Sequence, residues 1–183
     1  MRSATVMATA LVYVWIVITL SGCAGVRSTD DIPAVGGFDA NRYMGKWHEI
    51  ARLPKWYEKD MVNVTATYSL EDGRLKVENM GFRDGRESRM TAYGKVAGAT
   101  DVGEFEIGFL RWYSAPYRII WISPDYDIAM TTGKSRSSFW ILARKRTIPQ
   151  EKLDELIRLA KAWGFDTAKL EFPQQIQLPA ADF

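Results

Sequence analysis

The sequence predicts an all-β fold: eight antiparallel strands closed into an up-and-down barrel, with one C-terminal α-helix packed outside. Three observations carry this. Short alternations of apolar and polar residues, separated by turn signals, fill residues 46 to about 145. Each such strand has one dry face and one wet face. No second set of strands follows to cover the dry face, so the sheet must close on itself, which also removes its exposed edges.

The elements follow in order. The first strand starts at Gly45-Lys46-Trp47, with Trp47, Glu49 and Ala51 on one face and His48, Ile50 and Arg52 on the other. Val62–Leu70 (VNVTATYSL) alternates without a break, placing Val62, Val64, Ala66, Tyr68 and Leu70 together. The turn EDG at 71–73 leads into a third strand, so these two form a hairpin. Glu104–Phe109 puts Phe105, Ile107 and Phe109 opposite Glu104 and Glu106, and the stretches 117–123 and 138–144 are richer in aromatics. Weaker candidates at 88–97 and 127–133 complete about eight strands. For the helix, Thr147-Ile-Pro-Gln150 offers a capping box with Pro149 in the first turn. Leu153, Leu156, Ile157, Ala160 and Trp163 recur at helical spacing, and Gly164 sits where a helix stops. One apolar stripe means one buried face.

The N-terminus has a different character. Arg2 precedes the uncharged apolar run Ala4–Leu20, which ends in Leu20-Ser21-Gly22-Cys23. This is the layout of a secretory signal over residues 1–22. Residues 23–37, rich in Gly, Ser and Asp, read as a flexible tether, and the barrel domain occupies 38–183. Cys23 is the only cysteine, so no intrachain disulfide exists, and with one histidine (His48) a Cys/His zinc site is excluded. The formal charge of +2 is too small to point to nucleic acid.

Three stretches, with the closing helix, resemble the lipocalin family. Gly45-Lys46-Trp47, preceded by FDANRY at 38–43, resembles its first motif, where a short helical turn closes the barrel floor. Pro124-Asp125-Tyr126-Asp127 resembles the second, with Pro in place of the usual Thr, and Trp140–Arg144 the third, whose Arg lies across the motif-one Trp. The detailed match is to the bacterial outer-membrane lipocalins and apolipoprotein D. Leu20–Cys23 resembles the lipobox of that branch. The resemblance implies acylation of Cys23 and, with Ala24 and not Asp next, anchoring in the outer membrane, facing the periplasm. It also implies a fatty-acid or lysophospholipid ligand, with no cofactor.

Gly45, Trp47, Asp125, Tyr126 and Arg144 are therefore the expected structural residues. The ligand-binding candidates are Glu49, Val64, Tyr68, Phe105, Ile107, Tyr117, Trp121 and Trp140, assigned inward by alternation; they either line a cup or fill a solid core. An ionised Glu49 would disfavour a fatty-acid carboxylate and tolerate a choline or ethanolamine head group. Lys55, Lys59 and Arg111 fall in loops and could meet a phosphate, and Trp56-Tyr57 and Trp112-Tyr113 are aromatic loop pairs. His48 should point outward, and no nucleophile–base pair is evident, which favours binding over catalysis. An enzyme on this scaffold and a purely structural envelope protein are the other classes. The oligomeric state is left open, a homodimer included.

Overall fold

The computed structural model describes residues 27–71, 74–110 and 113–176. Eight strands close into one barrel in sequence order, every neighbouring pair antiparallel. They are β1 (Gly45–Arg52), β2 (Val62–Glu71), β3 (Arg74–Arg83), β4 (Arg86–Val96), β5 (Glu104–Leu110), β6 (Tyr113–Ile122), β7 (Ile128–Thr132) and β8 (Phe139–Ala143). A one-turn helix α1 (Ala40–Tyr43) precedes β1, and α2 (Gln150–Ala162) follows β8. Gly45, the start of β1, marks the closed end under α1; Arg52, its last residue, marks the open end.

Strand alternation divides the apolar residues into two cores. Phe38, Tyr43, Trp47, Tyr68, Phe105 and Ile119 belong to the inner one. Ile50, Leu53, Met130, Phe139 and Ile141 belong to the outer one, where Leu156 and Ala160 of α2 are fully buried. The helix ends in the double turn that a glycine allows. Gly164 has φ +82°, its N–H donates to Lys161 O at 2.9 Å, and that of Phe165 donates to Ala160 O at 3.1 Å. The capping box does not form at the other end: Pro149 is the N-cap without a side-chain bond, and Gln150 Nε2 donates to Asp154 Oδ1 instead.

Bulges overturn part of the inward assignment. In β1 the register shifts between Glu49 and Ala51, so Glu49 stays opposite Leu142 while Ala51 joins the outer core and Arg52 turns inward opposite Trp140. In β6 it shifts between Ile119 and Trp121, so Trp121 packs against the outer core and Ile122 against the inner one. One inserted residue reverses the face of everything beyond it, and strict period-two reading cannot see the insertion. A third shift, in β2 between Val62 and Thr65, coincides with Asn63 at φ +51°.

Both ends of the described chain are tied to the barrel. Residues 27–36 do not form the expected flexible tether: Thr29 and Ile32 are buried, and Val35 exchanges backbone bonds with Ile119 and Gly103. Only residues 23–26 of that segment lie outside the described residues. At the other terminus, β1 and β2 pair only over Gly45–His48. Above this the tail bridges the seam: Glu171 and Arg52 exchange backbone bonds of 2.8 and 3.0 Å, and Asn63 N–H donates to Gln174 O at 2.8 Å.

Ending the chain at Leu170 removes three backbone hydrogen bonds, about 1 kcal/mol each, from the open half of the seam. The expected loss is about 3 kcal/mol, or roughly 6–12 °C in Tm, with hydrogen exchange accelerated at the Arg52 and Asn63 amides before other barrel amides. Thermal melts and exchange mass spectrometry check this.

Candidate functional site

The barrel is sealed at one end by an aromatic floor. Asp39 caps α1 by accepting from Asn41 N–H at 2.9 Å, and α1 delivers Tyr43 and Trp47 to the axis, both fully buried. Trp47 Nε1 donates to Tyr43 O at 2.8 Å. The Arg144 guanidinium lies 3.8 Å over the Trp47 ring. It donates to the carbonyls of Arg42, Tyr43, Met44 and Lys46 at 2.7, 3.1, 2.9 and 3.0 Å, and to Tyr126 O at 3.3 Å. Gly45 is required there: φ is +97°, and a Cβ would stand 3.3 Å from Arg144 Nη1. Phe105 packs on Phe38 and belongs to this floor, below any cup.

The second-motif turn is built in spite of Pro124. Ser123 Oγ accepts from the N–H groups of Asp127 and Ile128, both at 3.0 Å, and Asp125 Oδ1 receives a longer bond from Asp127. Tyr126, at φ +62°, is turned so that its hydroxyl accepts from Asp39 N–H at 2.8 Å and its ring lies under Arg42.

Above the floor, three tyrosines meet. The Tyr117 hydroxyl is 2.9 Å from that of Tyr43 and 2.7 Å from that of Tyr68. Burial pushes all three phenols up, so they remain protonated hydrogen-bonding groups. Higher still, Ile107 and Trp140 face the axis yet are only half-buried. Met90, on the inward register with Asn79, is 40% exposed. Val64 is buried, its Cγ2 3.2 Å from a Cβ built on Gly81. The lower barrel is packed and the upper barrel is accessible.

A charged cluster sits at the wall of this upper half. Arg52 Nη1 donates to Glu49 Oε1 at 2.7 Å, its Nε to Glu171 Oε2 at 3.0 Å and its Nη2 to Glu58 O at 2.7 Å. The Glu58 carboxylate approaches Arg52 to 3.8 Å. One guanidinium thus faces three carboxylates. Burial first, and Glu58 second, push the Glu49 carboxyl up to about 8; burial also raises Glu58. Glu49 therefore does not present the free negative charge expected from its position. Arg52 and Glu58 were missed by sequence reading, because the bulge hid the one and the loop position the other.

The β1–β2 loop, residues 53–61, crosses the mouth. Lys55 Nζ donates to Ser137 O and Ser138 Oγ, each at 2.8 Å, and lies 5.3 Å from the Trp140 ring. Arg83 donates to Tyr57 O and Lys59 O from the other side. Of the loop cations, Lys55 is thus held down and Lys59 is exposed. Cys23, Arg111 and Trp112 lie outside the described residues, and Tyr113 opens β6 and is not a loop residue. His48 points outward, as expected, opposite Thr65 and Ala143. Among the described residues no group of His, Cys, Asp and Glu has the geometry to hold a metal ion.

A closed barrel with a sealed floor, half-exposed inward side chains above it and a loop over its mouth has the shape of a cup. The comparisons specify its family. Residues 38–175 match the family model of the lipocalin-like domain, and the chain belongs to the lipocalin family. It is 35% identical to outer membrane lipoprotein Blc of Escherichia coli over 156 residues, 84% of this chain and 88% of that protein. It is 31% identical to apolipoprotein D of Macaca fascicularis over 159 residues, 80% and 82% of the two chains. Among solved structures, insecticyanin from the tobacco hornworm Manduca sexta superposes with a TM-score of 0.67 at 19% identity, covering 80% of this chain and 86% of that one.

Two outcomes are expected. Trp47→Ala should cost about 3–5 kcal/mol, and Arg144→Ala added to it should cost less than it does alone, because both act at one contact. Arg144→Lys should not rescue, since an ammonium cannot fork to the carbonyls of residues 42–46; denaturant titrations of the four variants decide it. For Glu49, the folded chain holds its proton up to about pH 8 whereas the ordinary value is 4.5. The stability contributed by the neutral carboxyl is therefore complete below pH 4.5 and is lost as pH rises to 8. Glu49→Gln should flatten that decline, so its Tm advantage over wild type should grow between pH 5 and 8 and then level off.

Proposed function

We propose that this chain is an outer-membrane lipoprotein that binds a single-tailed amphiphile, a fatty acid or lysophospholipid, in the upper half of its barrel. The observation that carries the reading is the contrast within one barrel: a solid aromatic floor below, and the half-exposed Ile107 and Trp140 facing the axis above, with Met90 40% exposed on the inward register. Val64, Met90, Ile107 and Trp140 give that half an apolar surface beside the charged cluster, and an acyl tail of about 14 methylenes gains roughly 11 kcal/mol on full burial, at about 0.8 each. Association and ordering remove several kcal/mol, which leaves micromolar binding or better with no specific head-group contact.

The tyrosine hydroxyls set the depth limit for the tail, and the Glu49–Arg52–Glu58 cluster and Lys55 stand where a head group would lie. With Glu49 neutral, the cluster does not repel a carboxylate as a free Glu would, so fatty acids and lysophospholipids are both accommodated. Membrane attachment rests on Leu20-Ser21-Gly22-Cys23 and on the outer membrane lipoproteins among the relatives. The role is binding and not catalysis, because His48 lies on the outer face, away from the cup.

Lipids retained by a detergent-free Cys23→Ser form, identified by mass spectrometry, should be single-tailed amphiphiles near one per chain. Ile107→Asp should weaken their binding, and a lysine at the outward Glu106 should not. A folded protein that takes up no amphiphile at micromolar levels returns the barrel to the filled reading. Labelled palmitate should enter the wild type and not Cys23→Ser; equal labelling overturns the anchor.

A further inference from the structure

The N-terminal segment is fixed at a particular end of the barrel, and this has a geometric consequence. Ser28 bridges Ser135, Thr29 N–H donates to Lys134 O at 3.2 Å, and Arg136 N–H donates to Arg27 O at 2.9 Å. The loop 133–138 joins the last residue of β7 to the first of β8. Phe139 opens β8 beside Leu53, and Trp140 lies opposite Arg52, so this loop belongs to the open end. Two buried arginines hold the segment in place. Arg118 donates to the carbonyls of Thr29 and Ile32, and Arg136 donates to Ser28 O, Trp163 O and both carboxylate oxygens of Asp31. From this fixed point the segment runs down the wall to Val35 and Phe38 at the closed end.

Cys23 precedes Arg27 by four residues, which span at most about 14 Å even when fully extended. A lipid attached at Cys23 thus cannot reach the closed end, at the far end of β6 and β7 from loop 133–138. It must enter the bilayer beside the mouth. The mouth also carries an exposed aromatic: Trp56, whose ring meets Tyr57 edge-on at 5.6 Å, is 87% exposed, while the other exposed large hydrophobics among the described residues range from 36% to 52%. Its loop is tied by Lys55 to Ser137 and Ser138, in the same loop 133–138 that holds the N-terminus. Phe172, 52% exposed, follows Glu171 at the open end of the seam. An indole has its best environment at a membrane interface, where its ring is dry and its N–H is wet.

We infer that the open end of the barrel docks on the bilayer that carries the anchor, with Trp56 as its interfacial contact, so that the amphiphile passes between membrane and cup without crossing water. The inference rests on acylation of Cys23 and goes beyond it, since an anchored domain on a long tether would have no preferred face. The β1–β2 loop then has two faces in two media: Trp56 toward lipid, and Glu58 toward Arg52 inside.

The test uses the full-length acylated protein reconstituted into phosphatidylethanolamine–phosphatidylglycerol vesicles, with a spin label at Trp56→Cys or Lys59→Cys at the mouth, or at Arg146→Cys at the closed end. All three are exposed positions, and two mouth positions guard against one variant misfolding. The expected result is collision with oxygen favoured over a water-soluble nickel chelate at 56 and 59, by several-fold relative to 146. Vesicle flotation with chelate access equal at all three positions overturns the docking and leaves the anchor standing. Failure to float overturns the anchor and the docking with it.

Discussion

The contact on which this barrel depends is a single guanidinium laid across a single indole. Arg144 stacks on Trp47 at 3.8 Å while its N–H groups serve carbonyls from α1, from the start of β1 and from the turn after β6. A closed strand ring leaves backbone groups at its end with no ladder partner, and burial without partners is costly. Arg144 supplies several donors in one planar group, and the indole face covers what would otherwise be a desolvated cation. The floor is therefore rigid and dry, and everything above it can be less completely packed.

That division explains why the polar groups lie where they do. The tyrosine hydroxyls satisfy one another at the boundary between the packed and accessible halves, so the boundary carries no orphaned charge. Above them the barrel admits a buried cation among three acids, which is tolerable only because each Arg52 donor nitrogen finds an oxygen and burial keeps Glu49 from ionising at neutral pH. The same arginine is held by backbone bonds to the tail at Glu171. The wall charge, the seam and the mouth loop are thus one mechanical unit, since Arg52 also binds Glu58 O.

Bulges place that unit. Without the extra residue between Glu49 and Ala51, Arg52 would face the outer core and lose its bonds to Glu49, Glu58 and Glu171. Without the one near Ile119, Trp121 would drive an indole into the already packed closed end of the barrel. Each inserted residue re-aims one bulky or charged side chain.

From its own sequence this protein determined the closed eight-stranded fold, the outer helix, the floor residues Gly45, Trp47 and Arg144, and the inward direction of Tyr68, Ile107, Tyr117 and Trp140. These follow from residue type and from periodicity, which act locally along the chain. The inward turn of Arg52, the outward turn of Trp121 and the raised proton affinity of Glu49 were decided by the tertiary structure. So were the seam closed by residues 171–175 and the strap of residues 27–36. The reason is common to all five: a bulge is stable only against a particular partner strand, and the environment of a carboxyl or a terminal segment is set by how separate elements pack together. No period in the sequence encodes such a meeting.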